Sequence, residues 1–472
     1  MNRKRETQLE QFREQLYQSF ERCADSLMDL LDALSSQTTA RSVVELSLEA
    51  CFQREYSSLY KAIAGFFEVS AEGPAEGERR EQEEGLLGIV ANYVPSPAAR
   101  PYWLFGTDVT SVPRQFARTL AERGYVYQPN PIKSNKPVTI GHQYAVMAHL
   151  PEKATREEPP WIVPLVVRRV SSQEQEATVG ADLLELLMSD ETLPWHDALS
   201  VHVGDTRYST PDYLAAAAKH KNLVTMARLR SNRTLYRQPL PVEGKRKPGR
   251  PRWYGERFSL LEPETWPAPD EQVAFPYTSR RGRSYIIQIE GWHDMLMRGK
   301  HDCPMHKYPF TLGRIRWLDA AGQPVFKRPI WVVVSGQRRR ELSLRHSQAA
   351  YAQRYDLEHF FRFGKQRLLL TSYQTPDLEH EENWWQLVQL AYVQLWLARP
   401  LADRLPRPWE RYLPAPQTAT PSPSAVQRDF GRIIRQLGTL AAMPKPRGNS
   451  PGRVAGTRLR PRVRSPVVKK SS

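Results

Sequence analysis

The chain predicts an α/β layered core, split by a β-rich insertion, with a helical start and a disordered basic tail. Three observations carry this. Apolar residues repeat at helical spacing through the start of the chain. Short apolar runs flanked by turn residues alternate with helical stretches from about residue 100. Beyond residue 232 strands follow one another without a comparable helix signal, until helices return after 341.

The elements follow in order. In residues 1–68, Leu9, Phe12, Leu16, Phe20, Cys23, Leu27 and Leu31 recur every three or four positions and form one apolar stripe. Further helical segments are expected at 42–52 and 57–67. A small helical module of this kind can bind DNA. Residues 69–99 read as a linker, because 69–85 hold six Glu with Gly and Pro. Residues 100–231 form the first part of the core, with strands at 102–109, 143–150, 161–170, 200–203 and 223–229. Helices are expected at 181–188 and 211–219, the latter opened by Pro211 where proline is tolerated. Residues 232–340 are the insertion, with strands at 285–289, 313–317 and 329–334 and a turn at Asp319–Gly322. Residues 341–400 return to the core, with helices at 347–365 and 383–398. Residues 401–472 are a Pro/Arg-rich tail.

Composition narrows the function. The chain has 472 residues, 67 Lys+Arg against 51 Asp+Glu, and a formal charge of +16. From Lys445 onward nine basic residues and no acidic one occupy 28 positions. Such an excess favours a polyanionic partner, held through counterion release. The tail reads as a DNA-grasping arm, or as a solubility tail. A second basic cluster, Lys245 to Arg252, runs into Trp253 and Tyr254, aromatics able to stack on an unpaired base. Three dispersed cysteines argue against a disulfide scaffold. No apolar leader and no bilayer-length apolar run are seen, so a cytoplasmic protein without membrane contact is expected.

Three carboxylates stand where metal-assisted phosphoryl transfer requires them. Asp108 follows an apolar run, and Asp205 closes the strand Val201–Gly204. Carboxylates at strand positions of one sheet are held rigidly enough to share divalent cations. On the expected helix, Tyr351, Arg354, Glu358 and Lys365 fall within an arc of roughly 60° at about 100° per residue. One carboxylate thus shares a face with two cations and a phenol, an arrangement that suits a metal ligand beside phosphate-holding groups. An exposed face of paired charges is the plainer alternative. His293, His301, Cys303 and His306 match no common zinc spacing.

The spacing from Tyr351 through Arg354 and Glu358 to Lys365 resembles the Tyr-Arg-Glu-Lys signature of one branch of bacterial insertion-sequence DDE transposases. Asp108-Val-Thr110 resembles its first motif, and Gly204-Asp205 with Tyr208 its second. Gly249 to Arg252, Gly255 to Phe258 and Pro444 to Gly448 resemble segments of one subfamily, with Tyr254 departing from it. The resemblance spans about 100–455. It implies a ribonuclease H-like mixed sheet with helices on both faces. It implies that Asp108, Asp205 and Glu358 are catalytic and hold two Mg²⁺ ions, Mn²⁺ being able to substitute. Tyr351, Arg354 and Lys365 would bind DNA. The implied activity is binding of insertion-sequence ends, strand cleavage and strand transfer in cut-and-paste transposition. The partners are double-stranded DNA, as transposon ends and target, and a second copy in a DNA-bound homodimer at the nucleoid. Trp253, Trp266 and Trp292 are candidates to wedge a flipped base. A catalytically silent DNA-binding relative and a structure-specific nuclease on the same fold are the rivals.

Overall fold

A computed structural model describes residues 3–67, 76–128, 137–155, 157–240, 252–279, 282–403, 408–412, 420–446 and 461–469. Helices α1 (Arg3–Ser19), α2 (Ala24–Ser36) and α3 (Tyr56–Ala64) form the start. The apolar stripe is therefore two helices, broken at Cys23, whose φ of 56° is left-handed. The segment expected at 42–52 is a short 3₁₀ turn, Val43–Leu48. Helix α4 (Glu76–Ala91) occupies much of the stretch read as linker. Its Glu-rich sequence hides the apolar contacts of Leu87, Val90 and Ala91.

The core strands are β1 (Trp103–Pro113), β2 (Gly124–Tyr127), β3 (Val138–His149), β4 (Val163–Val170), β5 (Ser200–Gly204) and β6 (Leu223–Leu229), with α5 (Glu176–Ser189) and α6 (Pro211–Ala217) between them. The insertion carries β7 (Thr234–Tyr236), β8 (Arg257–Ser259), β9 (Glu271–Thr278), β10 (Ser284–Met295), β11 (Phe310–Leu318) and β12 (Ile330–Ser335). It does not form a separate sheet. Strand β12 pairs antiparallel with β6, so one ten-stranded sheet runs β2-β3-β1-β5-β6-β12-β11-β10-β9, with β4 also on β3. Strands β7 and β8 make a small second sheet. The fold is the mixed α/β architecture of the ribonuclease H-like class.

The expected helix 347–365 is two helices, α7 (Leu344–Gln353) and α8 (Tyr355–Arg367). At the junction Arg354 N–H bonds Tyr351 O at 3.2 Å and Leu357 N–H bonds Arg354 O at 3.1 Å. These i to i+3 bonds tighten the chain by one 3₁₀ turn. Helix α9 (Leu378–Ala398) is buried along almost its whole length, and the start packs onto it. Buried Arg13 pairs with Asp32 of α2 and donates to Gln394 of α9 at 3.0 Å. Helix α10 (Pro423–Leu437) lies inside the segment read as tail. Val426, Phe430, Ile433 and Ile434 bury its apolar face.

The end of the tail is also placed, contrary to the expectation of a wholly disordered arm. Val468 pairs in parallel with Gly124 of edge strand β2, and its N–H bonds Arg123 O at 2.8 Å. Buried Arg123 donates to Ser465 O at 3.2 Å, and Arg462 pairs with Asp377 at 2.9 Å. An edge strand leaves unpaired backbone groups, and a short added strand satisfies them. The cluster Lys245–Pro251 and residues 447–460 lie outside the described residues. No helix among the described residues is long and apolar enough to cross a membrane.

Candidate active site

Strands β1 and β5 are parallel neighbours, with Gly106 opposite Val203. Two residues further on stand Asp108 and Asp205, at the carboxyl end of β5. Side chains alternate along a strand, so the two face the same way. A Cβ on Gly106 would meet Leu357 of α8 at 2.9 Å and Val203 at 3.4 Å, which identifies that side as the α8 side. The opposite side is closed by Thr107, whose hydroxyl meets His202 Nε2 at 2.9 Å, over Tyr208 and Tyr213.

Asp205 caps the 3₁₀ turn that follows it, accepting from Arg207 N–H at 2.8 Å. That fixes its carboxyl where β5 ends. Asp108 accepts from Val109 N–H at 2.9 Å and from Arg354 Nη1 at 3.2 Å. The other guanidinium nitrogen of Arg354 donates to Glu358 Oε1, also at 3.2 Å. One cation thus ties the β1 carboxylate to the α8 carboxylate. Burial pushes Asp108 up to about 6, and the neighbouring Asp205 charge adds to it, while Arg354 opposes. Burial would lower the Arg354 pKa, but Asp108, Tyr351, Glu358 and Asp205 outweigh it and raise it.

The remaining expected residues take distinct places. Tyr351 is buried on α7, its phenol pushed up by burial, with Arg354 and Arg228 among the charges that reach it. Lys365 Nζ donates to Thr110 Oγ1 at 2.6 Å and to Ser111 O at 3.1 Å. It is bound to β1 and holds α8 against the sheet, with burial lowering its pKa. The Thr of the Asp-x-Thr motif is therefore the acceptor for the Lys of the helix. Glu358 is the most open of the acids, its side chain 47% exposed.

Two groups went unnoticed in the sequence. Arg228 follows from the period-two alternation of β6, which puts it beside Asp205 on the same face. Asp356 pairs with Lys153 at 2.6 Å and ties the start of α8 to the loop after β3; no local signal marks that pair. Of the tryptophans, Trp292 is buried and donates to Pro267 O at 2.9 Å, and Trp266 packs on Trp331. Trp253 is 41% exposed and stacks on His306 at 4.2 Å.

The donors are carboxylate oxygens only, which suits a hard divalent cation rather than zinc. Two of them share one positive partner, and the largely covered Asp108 feels the charge of a third, so the donor set fits a metal ion. Among the described residues no three His, Cys, Asp or Glu side chains close into a metal cage. Arg354 lies between Asp108 and Glu358 and supplies the cation there.

No curated protein matches the chain. The family described as DDE superfamily endonuclease matches residues 15–299, more than half of it, taking in Asp108 and Asp205 and ending before the helix with Glu358. With that match over the strands that bear the two aspartates, the chain belongs to the DDE superfamily endonuclease family.

Proposed function

We propose that the protein is a transposase that binds insertion-sequence ends as a DNA-bound homodimer and cuts and joins DNA strands at the bacterial nucleoid. The observation that carries the reading is the single guanidinium of Arg354, hydrogen-bonded to Asp108 of β1 and Glu358 of α8 with Asp205 alongside. A binding module has no use for three carboxylates around a buried cation, because carboxylates repel a phosphate backbone.

In this reading Asp108, Asp205 and Glu358 hold two Mg²⁺ ions, or Mn²⁺ in their place. Bound there, the ions would supply the charge that activates water or a 3′-hydroxyl and steadies the leaving oxygen of an in-line displacement. Arg354 and Tyr351 orient the phosphate of the scissile strand. Lys365 keeps α8 on β1 through Thr110 and so holds Glu358 at a fixed depth. Trp253, the one exposed tryptophan of the three considered, offers its face to an unstacked base.

Glu358→Gln tests the reading. Strand cleavage in Mg²⁺ should fall by about a thousandfold or more, the equivalent of several kcal/mol. Binding to end DNA should stay within about twofold of the unaltered protein, because the lost charge does not attract DNA. Nicking at the original rate would sink the assignment. An enzyme that cuts but never joins a 3′ end to target DNA would be the nuclease, and the transposase reading would fall.

A further inference from the structure

Register carries one face of the sheet from the carboxylates to the far edge of the insertion. Val203 pairs with Met226, Met226 with Val334, Val332 with Gly313, and Gly313 with Gly291. Counting by twos along each strand puts Arg228, Trp317, Tyr285 and Tyr277 on the face that bears Asp108 and Asp205. Helix α7 confirms the side, since Leu344 abuts Gly291 and Arg345 lies over Phe275 at 4.5 Å.

Past α7 this face carries an aromatic pad. Trp317 meets Tyr277 at 4.6 Å, Tyr285 at 6.1 Å and Phe326 at 6.3 Å between ring centroids. Phe326 is 58% exposed. Among the described residues three cations rim the pad, Arg283 in the β9–β10 turn and Lys327 and Arg328 before β12, all exposed. None is ion-paired to a carboxylate among the described residues. Their neighbours in the sheet differ, since Arg314 and Arg316 share the carboxylate of Glu290 at 3.0 and 3.2 Å. The cations of this region without any carboxylate partner therefore cluster at the outer tip.

The pad lies four strand spacings from β5 and six residues beyond the row of Asp205, past the carboxyl ends of β5 and β6. That is about 19 Å across and about 20 Å along, or roughly 28 Å in all. A duplex rising about 3.4 Å per step covers it in roughly eight base pairs.

We propose that the outer end of the insertion, Arg283, Lys327 and Arg328 around Trp317 and Phe326, is a second DNA-contact surface. It grips duplex DNA about eight base pairs from the phosphate at the carboxylates. This rests on the reading of the protein as a DNA-cutting enzyme. The cations contact phosphates, and Phe326 supplies an apolar contact in the groove, backed by rings that hold it rigid.

The experiment is a titration of the full chain with a 30-base-pair random duplex at several salt concentrations. Arg283→Ala, Lys327→Ala and Arg328→Ala together should flatten the log–log salt slope by up to about 2.7, at 0.9 per phosphate. The dissociation constant at 0.15 M salt should rise about ten- to a hundredfold. Phe326→Ser should weaken binding and leave the slope unchanged. Lys219→Ala with Lys221→Ala, both in the loop after α6 across the sheet, should change neither. Single variants, each costing about 0.9 in slope, serve if the triple variant loses its fold. An unchanged slope and affinity in the triple variant overturns the proposal. So does a loss of self-association with DNA affinity intact, since the pad would then be a contact between copies. Cleavage surviving Glu358→Gln would sink the catalytic reading and leave this surface standing, whereas an unaltered protein that binds no duplex would sink both.

Discussion

Asp108 and Glu381 are carboxylates beside the β1–β3 pair, the first largely covered and the second buried, and each is reached by an arginine, yet their proton affinities move in opposite directions. Burial raises both. At Glu381 it is outweighed. His142 Nδ1 at 2.8 Å, Arg114 Nε at 2.7 Å and the Tyr144 hydroxyl at 2.9 Å converge on its two oxygens, and the group falls to about 2. At Asp108 one guanidinium bond at 3.2 Å and one backbone N–H stand against burial and the charge of Asp205, and the group stays near 6. Glu381 is closed on itself. Its arginine is spent on Thr371 O and Tyr373 O as well, at 3.0 and 2.8 Å, so it clamps α9 and the segment before it to the sheet. Asp108 is left with charge its surroundings do not fully balance. Such a carboxylate costs stability, and it gains when a further cation arrives.

The largest effect on stability should come from opening the closed site. Glu381→Gln keeps the shape and removes the charge, leaving the Arg114 guanidinium buried without an anion. Breaking a buried pair in this way costs about 3–5 kcal/mol, read as a fall in the urea midpoint at pH 7. The acid limb gives a second check. With a folded value of about 2 against an ordinary 4.5, this group stabilises the fold above pH 4.5 and loses that contribution as pH falls through 2. The Gln variant should lack that part of the acid transition. Equal stability of the two proteins at pH 7 would mean that the network is ornament to the fold.

The same comparison explains what was legible in the sequence. Asp108, Asp205 and Glu358 stood out because the proposed chemistry asks for fixed residue types at spaced positions on a strand and a helix. Arg354 and Glu358 are four apart, and the helical arithmetic put them together, as the structure does. Glu381, His142 and Arg114 come from distant stretches and meet only through tertiary packing, so no local pattern announces them. Most strands of residues 100–231 are continuous apolar runs bounded by turn residues and were visible, whereas the four-residue edge strand β2 was not. Edge strand β9 was not, because one face is exposed and Pro276 breaks the pattern, which only an edge tolerates. Helix α10 was masked by its arginines and by the proline-rich flanks, although Val426, Phe430 and Ile433 repeat at helical spacing. Lys365 lies on the predicted arc, but what it reaches is Thr110, and helix periodicity carries no information about the strand across from it.

A smaller effect of opposite sign should come from relieving the open site. Asp108→Asn, measured in a chelator, removes a charge that burial disfavours, and the fold should gain about 1–2 kcal/mol at pH 8. The sign follows from the raised value. The folded state binds this proton more tightly than the unfolded chain, so the burden is full above about 6 and lifts as pH falls from 6 toward 3.8. The gap between variant and parent should therefore close by pH 4. An Asn variant less stable than its parent at pH 8 would show that Arg354 balances Asp108 fully, and the contrast with Glu381 would collapse.

His149 takes the comparison to its limit, a buried ionisable group with no hydrogen-bond partner among the described residues. It ends β3 against the rings of Trp103 and Phe105, and neither ring nitrogen has a hydrogen-bond partner among the described residues. Burial, helped by Arg100, holds its pKa well below the usual 6.5, so it is neutral in the fold. An imidazole desolvated without compensation costs stability, and His149→Leu, similar in volume, should gain about 0.5–1 kcal/mol at pH 8. The pH dependence runs opposite to that of Asp108. Below 6.5 the unfolded chain takes up a proton that the folded state refuses, so the parent loses stability as pH falls and the leucine variant does not. The gap should widen by about 2 kcal/mol between pH 8 and pH 5, at about 1.4 kcal/mol per unit below 6.5. Urea titrations of the two proteins at both pH values read it directly. A gap that stays constant would mean that His149 protonates in place, which requires an acceptor beside it and would move the residue into the class of Glu381.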